Sequence, residues 1–460
     1  MSRGELSWAG IARLGLVQAS VGAMVVLMTS TMNRVMVVEL AMPAILPGLL
    51  VALHYAVQIA RPRFGYGSDL GGHRTPWIVG GVALLGLGSV GAATAISVMA
   101  VHPTAGILAA IGAFALIGIG VGAAGTSLLV LLAKCVDARR RPAAATIVWM
   151  MLIVGFVVTT AVAGPLLAPY SPARLIAVTA GVAAVAFAVT VCAVWNVEGH
   201  AELRPQLPAG VATKSHSAAG GRTSRPFRAA LAQVWGESQT RQFTIFVFVS
   251  MLAYSGQELI VDPFAGAVFH LTPAQSTALS SVQHGGTFIG MLLIAIIATA
   301  AGTSRLGSLR GWTVAGCIGS AFALVGLALA GPIGPAWPLR ASIFALGVAN
   351  GAFAVAAIGS MMALAGVGEP SRDGVRMGLW GAAQAVAFAV GGVIATGAVD
   401  CARHLLGAPT AAYSTVFAGE AMLFLCASVL AARVGSGAQS LHSPSLAAVY
   451  QTPVAEVRWG

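Results

Sequence analysis

Twelve long apolar runs follow one another along the sequence. A helix needs roughly 20 mostly apolar residues to cross the hydrocarbon core of a bilayer. Of the 460 residues, 57% are hydrophobic and only 8% are Asp, Glu, Lys or Arg, whereas a soluble domain has about 25% charged residues. The predicted spans are 11–38, 42–61, 76–101, 105–133, 143–168, 173–196, 241–262, 274–300, 311–331, 339–366, 374–400 and 411–433. The sequence therefore predicts an all-α integral membrane protein embedded in a lipid bilayer.

Polar segments divide these spans into two sets of six. The segment 197–239 is rich in Pro, Ser, Gly and Arg, and 434–460 has a similar character. Both lack the apolar periodicity that a segment needs to fold alone. We therefore predict a six-helix bundle over 1–196, a cytoplasmic linker over 197–239, a second six-helix bundle over 240–433 and a cytoplasmic tail over 434–460.

The distribution of basic residues predicts the orientation, because cytoplasmic loops of membrane proteins are enriched in Lys and Arg. The formal net charge of +11 does not indicate nucleic-acid binding, since the basic residues lie in short loops between spans. With the N-terminus inside, the opposite face has only Arg34, Arg174, Arg340 and Arg403. The cytoplasmic loops then contain Arg61, Arg63, Arg74, Lys134, Arg139, Arg140, Arg141, Arg305, Arg310, Arg372 and Arg376. Both termini are therefore predicted to be cytoplasmic, in the inner membrane of a bacterium.

The two sets of spans show traces of an internal duplication. The pair Pro43-Ala44 is followed by His54, and the pair Pro273-Ala274 is followed by His284 at the same spacing. Six spans, a basic linker and six further spans form the layout of transporters built from parallel repeats. This pattern predicts the major facilitator superfamily fold, with two six-helix repeats.

The loop after the second span contains a further signature. Gly65, Asp69, Gly72 and Arg74 resemble the loop pattern of the major facilitators, in which glycines allow a tight turn and the acid caps a helix or pairs with an arginine. A generic Gly/Asp turn is the alternative interpretation. The fourth span lacks the basic residue that many solute transporters of this superfamily have there. This difference argues against ordinary proton-coupled solute transport.

Several motifs resemble the PucC family, the bacteriochlorophyll-delivery branch of the major facilitators. They are Leu27–Leu40, Arg61–Gly65, Ala253–Glu258, Gly347–Gly351 and Gly378–Ala385. The resemblance implies a protein of the intracytoplasmic photosynthetic membrane that handles bacteriochlorophyll and assists its insertion into light-harvesting complexes. Its implied partners are this pigment, light-harvesting polypeptides or pigment-synthesis enzymes, with no tightly bound cofactor.

The residues from Gly72 to Trp77 are more similar to a branch of the family whose members carry the name bacteriochlorophyll synthase chain. No two aspartates lie within a dozen residues of each other, so the metal-diphosphate site of a membrane prenyltransferase is not predicted. We therefore predict that the chain is not an enzyme. A proton-coupled transporter of a small solute and a non-transporting assembly scaffold remain as alternatives.

Arg34, Glu258 and Asp262 lie within predicted spans and Glu39 lies just beyond the first one; insertion scales assign a charge at the centre of a span a cost of about 2.5–3.5 kcal/mol. The matched places of Asn33-Arg34 and Gln257-Glu258 in the repeat predict an ion pair between Arg34 and Glu258; the alternative is that Arg34, near the outer end of its span, extends its side chain to the periplasmic interface. Glu258 and Asp262 are four residues apart on one helix face, where two carboxylates repel unless they share a cation or proton. They are predicted to form a proton-coupling site or a structural cluster with Arg34. Glu39 is about 140° from Arg34 around an α-helix, so no direct pair is expected.

Candidate pigment ligands are the imidazoles and amides inside the spans. Neutral His54 and His284 could each provide an axial ligand to chlorophyll magnesium; the alternative is a hydrogen-bonded packing role. Gln257, Asn350 and Gln384 are amides that could bind pigment carbonyls or link helices.

Overall fold

The computed structural model describes residues 6–58, 74–136, 141–197, 235–301, 308–365 and 373–434. Within these ranges the chain forms twelve α-helices and no strand, which confirms the predicted all-α fold class. Eleven of these helical segments are long and apolar enough to cross a membrane. The helices are α1 (Trp8–Leu27), α2 (Ile45–Val57), α3 (Thr75–Met99), α4 (Pro103–Cys135), α5 (Arg141–Leu166), α6 (Pro172–Val194), α7 (Ser238–Phe269), α8 (Pro273–Ala301), α9 (Leu309–Ile333), α10 (Leu339–Ala365), α11 (Asp373–Leu406) and α12 (Pro409–Arg433).

Serine and proline residues define where several helices begin. The hydroxyl of Ser7 accepts a hydrogen bond from the Gly10 amide at 3.2 Å, and Ser171 and Ser308 cap α6 and α9 in the same way. These hydroxyls satisfy backbone amides that have no partner inside the helix. Proline occupies the first turn of α3, α4, α6 and α12, where its missing N–H costs no hydrogen bond.

Helix α1 is extended by two π-helical segments, so that the first span runs from Trp8 to Glu39. These segments are Met28–Met32 and Val35–Glu39. A π-turn closes a hydrogen bond between residues five apart, as between the Leu40 amide and the Val35 carbonyl at 3.0 Å. Residues five apart therefore lie on nearly the same face here, which an α-helical reading of the sequence does not anticipate.

Helix α2 differs from the predicted span 42–61. It runs only from Ile45 to Val57, which is 13 residues. At 1.5 Å per residue it is about 20 Å long, less than the roughly 30 Å of hydrocarbon. The helix begins late because the chain turns through Ala41, whose φ is 50°. Residues 59–73, which include the predicted end of this span, lie outside the described residues.

The packing of the helices repeats with a shift of six. In the first set, α1 packs against α5 and α6, α3 packs against α4 and α6, and α2 packs against α4. In the second set, α7 packs against α11 and α12, α9 packs against α10 and α12, and α8 packs against α10. The chain leaves the first helix of each set through a left-handed residue, Ala41 or His270, with φ of 50° and 54°. We call the two sets the N-terminal half and the C-terminal half.

Glycines allow the closest helix contacts. A methyl group at Gly155 would lie 2.1 Å from the Ala19 carbonyl oxygen, and one at Gly351 would lie 2.0 Å from that of Thr287. Membrane helices associate through close packing of this kind. Each half has its own apolar core, around Phe114 in the N-terminal half and around Phe264 in the C-terminal half.

The two halves meet along two pairs of helices, α5 with α8 and α2 with α11. The first span ends at Glu39, and we call this end of the bundle the Glu39 end. At this end Gly48 on α2 lies against α11, where a methyl group would be 2.2 Å from the Thr396 hydroxyl. Gly164 on α5 lies in the same way against Ala274 and Ala278 of α8. The halves are therefore in direct contact near the Glu39 end.

Candidate functional site at the interface of the two halves

The π-helical part of the first span contacts α7 and α8 of the other half through polar side chains. The Ser30 and Ser280 hydroxyls are 2.9 Å apart, and those of Thr31 and Thr277 are 2.8 Å apart. The Ser280 hydroxyl also lies 2.8 Å from both carboxylate oxygens of Asp262. Because Ser280 donates to Asp262, Ser30 is the donor between the two serines. Asp262 is thus held by a chain of hydroxyls that crosses between the halves.

Asn33 adds a further link between the halves. Its side-chain amide donates to the Leu259 carbonyl on α7 at 2.6 Å. Its own oxygen, Oδ1, is buried and has no hydrogen-bond partner among the described residues. A carbonyl oxygen within an α-helix is normally used by the amide four residues later. Four residues after Leu259, however, stands Pro263, which has no N–H, so Asn33 supplies the donor that α7 itself cannot give to the Leu259 carbonyl.

Arg34 contradicts two expectations. Its guanidinium forms an ion pair with Glu39 and donates to the Leu271 carbonyl, although Arg34 and Glu39 were expected not to pair. The π-turn is the reason, since it brings residues five apart onto one face. The predicted pair with Glu258 is not formed. The guanidinium lies beside Gly266 on α7, eight residues beyond Glu258, a rise of about 12 Å.

The Arg34–Glu39 pair lies near Tyr170, in the connection between α5 and α6. Burial, and then the Glu39 carboxylate, raise the pKa of Tyr170 above its ordinary value, whereas the Arg34 guanidinium lowers it. Arg34 is almost fully buried, whereas about a third of the Glu39 side chain is exposed. The arginine is therefore the member of the pair that cannot reach water.

Glu258 lies one helical turn from Asp262, and Tyr254 lies one turn before it on α7. The Glu258 side chain is half-buried, and no hydrogen bond or ion pair is found for it in the described part of the chain. Tyr254, one turn earlier, has its ring 5.9 Å from that of Phe388 on α11. Phe388 is also 5.1 Å from Tyr55 on α2. These ring contacts connect α7 to aromatic side chains of both halves one turn from Glu258, and the proposed part of Glu258 in proton coupling stays a prediction.

Both histidines are buried, but in different surroundings. The Nε2 atom of His54 is 2.8 Å from the side-chain nitrogen of Gln58, within the same helix. The His284 ring packs against Phe156 of α5 in a tilted arrangement, with a centroid distance of 4.8 Å. Its Nδ1 atom is buried and has no partner in the described ranges. Pigment ligation by either histidine stays a prediction, and His284 is the one that spans the interface between the halves.

The three amides also have different environments. Gln257 is fully buried, and neither its oxygen nor its nitrogen has a hydrogen-bond partner within the described residues. Asn350 accepts a hydrogen bond from Ser320 at 2.8 Å, which links α10 to α9. Gln384 is half-buried on α11. Asn350 is therefore a link between helices, whereas Gln257 has unused donors and acceptors in the interior.

The loop motif is only partly described. Gly65, Asp69 and Gly72 lie outside the described residues, and so does most of the predicted linker 197–239 and of the tail 434–460. Arg74 is described: it is buried and stands immediately before the first residue of α3.

Two acids were missed in the sequence. Asp400 on α11 accepts hydrogen bonds from the backbone amides of Ala44 at 2.9 Å and Ile45 at 2.8 Å. It therefore caps the N-terminus of α2 from the opposite half, where no residue of α2 itself supplies a cap. Glu420 lies inside α12 and is buried. Both acids lie within or at the end of predicted spans, and that position was the available signal.

The arrangement of helices is shared with solved transporters. A bacterial homologue of the human drug peptide transporters PepT1 and PepT2 superposes with a TM-score of 0.65, at 15% sequence identity, over 94% of this chain and 99% of that one. A bacterial homolog of the human lysosomal transporter Spinster, in an inward-facing and unoccupied conformation, gives 0.62 at 14% identity, over 93% and 96%. At such identities the likeness concerns the fold alone. The molecule is a multi-pass membrane protein with the major facilitator fold.

The sequence relatives are more specific. The family model described as PUCC protein matches residues 31–438, and the chain belongs to this family. A Rhodobacter capsulatus protein named bacteriochlorophyll synthase 44.5 kDa chain is 47% identical, over 96% of this chain and 99% of its own length. Protein PucC of Rhodobacter capsulatus is 28% identical, over 92% and 91%. The resemblance drawn from the sequence motifs is thereby confirmed.

Proposed function

We propose that this protein carries bacteriochlorophyll within the photosynthetic membrane, or holds it, and presents it to light-harvesting polypeptides as they assemble. The observation that carries the proposal is membership of the PucC family over residues 31–438, together with a relative whose name refers to bacteriochlorophyll. The further partners we propose are pigment-synthesis enzymes. The protein is a carrier or assembly factor and not an enzyme, and no cofactor is bound tightly.

The structure supports lateral access for such a pigment. The outward faces of the helices are strongly apolar, with exposed side chains such as Leu87, Val185, Phe322 and Ile394. The phytyl tail of a bacteriochlorophyll is a hydrocarbon chain, and its transfer from the bilayer into an aqueous cleft is unfavourable. The pigment would therefore reach the protein from the lipid. The orientation proposed from the basic loops places both termini in the cytoplasm.

The test is copurification from a photosynthetic host in mild detergent, with an absorption spectrum to measure pigment per protein. The wild type, His54→Phe, His284→Phe and the double variant are compared with an unrelated membrane protein from the same cells. We expect pigment with the wild type and a partial loss in the variants, because magnesium also accepts water or carbonyl oxygen as a ligand. A wild type with no more pigment than the control protein contradicts the carrier proposal. Equal pigment in all four samples would contradict pigment ligation by the two histidines and leave the carrier proposal in place.

A second candidate function is proton-coupled transport of a small solute. Its support is the pair of acids Glu258 and Asp262 on one face of α7, in a fold shared with transporters. In proteoliposomes containing a pH-sensitive dye, a solute-dependent proton flux that Glu258→Gln abolishes would favour this function over the first. Copurification of light-harvesting polypeptides without pigment would instead identify a scaffold.

A further inference from the structure

The C-terminal half has a cavity of about 280 Å³ on its flank, between α11 and α12 and against α7. Its walls are almost entirely hydrocarbon. They include Leu252 of α7, Ile394 and Ala398 of α11, and Val416 and Leu423 of α12. Ligand pockets have volumes of roughly 300–1,000 Å³, so this cavity has room for part of a large ligand or for one small ring. None of the site residues predicted from the sequence lines it.

The mouth of this cavity faces the hydrocarbon of the bilayer. Ile394, one of its wall residues, is 54% exposed. The flank around it presents Val390 and Met422, which are large, apolar and exposed. Exposed apolar side chains on a membrane span contact lipid tails. A molecule dissolved in the bilayer can therefore enter the cavity sideways, without passing through water.

Glu420 is the one acidic group among the residues that line this cavity. Only 5% of the residue is exposed, and both carboxyl oxygens are buried without a hydrogen-bond partner in the described part of the chain. It is the twelfth of the 25 residues of α12 and therefore lies at mid-span. An isolated charge at this depth is costly, and a neutral carboxyl group without a partner still loses its hydrogen bonds with water. The described part of the protein therefore leaves this carboxyl group without a hydrogen-bond partner, and a ligand could provide one.

Gly256 on α7 makes the room for this carboxyl group. A methyl group at Gly256 would lie 2.4 Å from the Glu420 Oε1 atom and 2.9 Å from the Ala395 side chain. The carboxyl group thus rests on bare backbone at the inner end of the cavity. Gly256 belongs to the motif Ala253–Glu258 that links the chain to its family, and its small size is needed here for the Glu420 side chain.

We propose that this cavity binds the carbonyl-bearing edge of a lipid-soluble ring compound, and that the Glu420 side chain turns toward the cavity to donate a hydrogen bond to that carbonyl. A neutral carboxyl group is a hydrogen-bond donor, and a ring carbonyl is an acceptor that dissolves in hydrocarbon. An amine or phosphate headgroup does not match, because such groups remain at the membrane surface. A metal at the centre of a large ring does not match either, because a cavity of about 280 Å³ admits only a ring edge.

Two kinds of lipid-soluble molecule have such a ring carbonyl. One is bacteriochlorophyll, with a ring carbonyl at its edge, and this version rests on the function proposed above. The other is a free quinone-type lipid, which has a carbonyl on a single ring and an apolar tail, and whose ring fits the cavity volume. Binding of either would occur from the lipid side and would be independent of the interface between the two halves.

The experiment uses the full-length protein in lipid nanodiscs, titrated separately with purified bacteriochlorophyll and with decylubiquinone. Affinity is measured together with the infrared stretch of the ligand carbonyl. Loss of one hydrogen bond corresponds to roughly a three- to tenfold weaker affinity, so Glu420→Ala should weaken binding by this factor and move the carbonyl band back toward its free position. Glu420→Gln, which keeps a donor, should restore most of both. Ser428→Ala, two turns along α12 and not a wall residue, is the matched control and should change neither.

A second variant covers the case in which Glu420→Ala does not fold. Ile394→Trp places a large side chain in the exposed mouth without touching Glu420. It should prevent ligand binding, while an unchanged elution profile in size-exclusion chromatography shows that the variant is folded. If pigment binds but neither variant alters its affinity or carbonyl band, the site is wrong and the carrier function stands. If the quinone binds in a Glu420-dependent way and the pigment does not bind at all, the site stands and the carrier function fails. If neither ligand responds to Glu420 or Ile394, the proposal is overturned.

Discussion

Removal of the Asp400 carboxylate should loosen the contact between the two halves at the Glu39 end. Asp400 belongs to α11, and its two oxygens accept from the Ala44 and Ile45 amides at 2.9 and 2.8 Å. These are the amides of the residue before α2 and of its first residue, which have no intrahelical partner. The bonds exist only while α2 and α11 are together. Their free energy therefore stabilises the arrangement in which the halves are in contact at this end.

The size of the effect follows from the two components of the cap. Replacement of an N-cap acid by alanine costs about 0.5–2 kcal/mol, and the charge at a helix N-terminus contributes about 0.3–1 kcal/mol of this where the site is partly exposed. For Asp400→Ala we expect a loss of about 1–2 kcal/mol, which is a factor of 5–30 in the ratio of the two states. Asp400→Asn keeps an acceptor and loses only the charge, so we expect roughly a two- to fivefold change.

Electron–electron distance measurements between spin labels can test this. Val101 and Leu405 are 72% and 75% exposed, at the Glu39 end of the N-terminal and C-terminal half respectively. They can be labelled as cysteines after the native cysteines are replaced. The population of long distances should increase in the order wild type, Asp400→Asn, Asp400→Ala.

The control is Ser342→Ala at the same end. It removes a hydrogen bond to Trp337 that lies wholly within the C-terminal half. The distances should not change in this variant. Identical distributions for the wild type and Asp400→Ala would refute the cap, and so would an asparagine variant more open than the alanine variant.

Three further predictions concern stability and topology. Glu39→Ala should lower the thermal midpoint more than Arg34→Met, because it leaves a buried cation whereas the methionine variant leaves a carboxylate that reaches water; the opposite order in a melting assay would contradict this. Gly351→Ala should destabilise the protein by about 1–3 kcal/mol, since its methyl group meets the Thr287 carbonyl, whereas Gly181→Ala, with open space around it, should be neutral or slightly stabilising; equal melting curves would count against the packing argument. A cysteine at Ser217 should react with an impermeant thiol reagent only in permeabilised cells, and labelling of intact spheroplasts would reverse the proposed orientation.

Much of the architecture could be predicted from local sequence. The apolar runs predicted twelve helices because a bilayer requires about 20 apolar residues per span wherever the helices later pack. Motifs such as Leu27–Leu40 and Ala253–Glu258 indicated the family because they place polar residues at specific points within apolar helices. The second helix was the exception. Its short form depends on the turn at Ala41 and was not evident from hydrophobicity.

The partners of the buried polar residues depend on tertiary structure. The sequence showed that Arg34, Asp262 and Glu258 are unusual in a membrane span, and the repeat suggested that two of them pair. The π-turn after Arg34 instead directs its guanidinium to Glu39. The packing of the halves places the Ser280 hydroxyl, which contacts the Ser30 hydroxyl, within hydrogen-bond distance of Asp262. A hydrogen bond acts over about 3 Å, whereas Ser30 and Ser280 are 250 residues apart along the chain.

What the sequence by itself determined is therefore the membrane class, the helix count and the family, because each follows from solubility in lipid or from contiguous motifs. What only the tertiary structure decided is which groups surround the buried acids. It placed Asp400 at the start of α2 and left Glu420 without a partner on bare Gly256. These outcomes depend on helix rotation and on gaps of a few ångströms between residues more than 100 positions apart, and hydropathy contains no information about either.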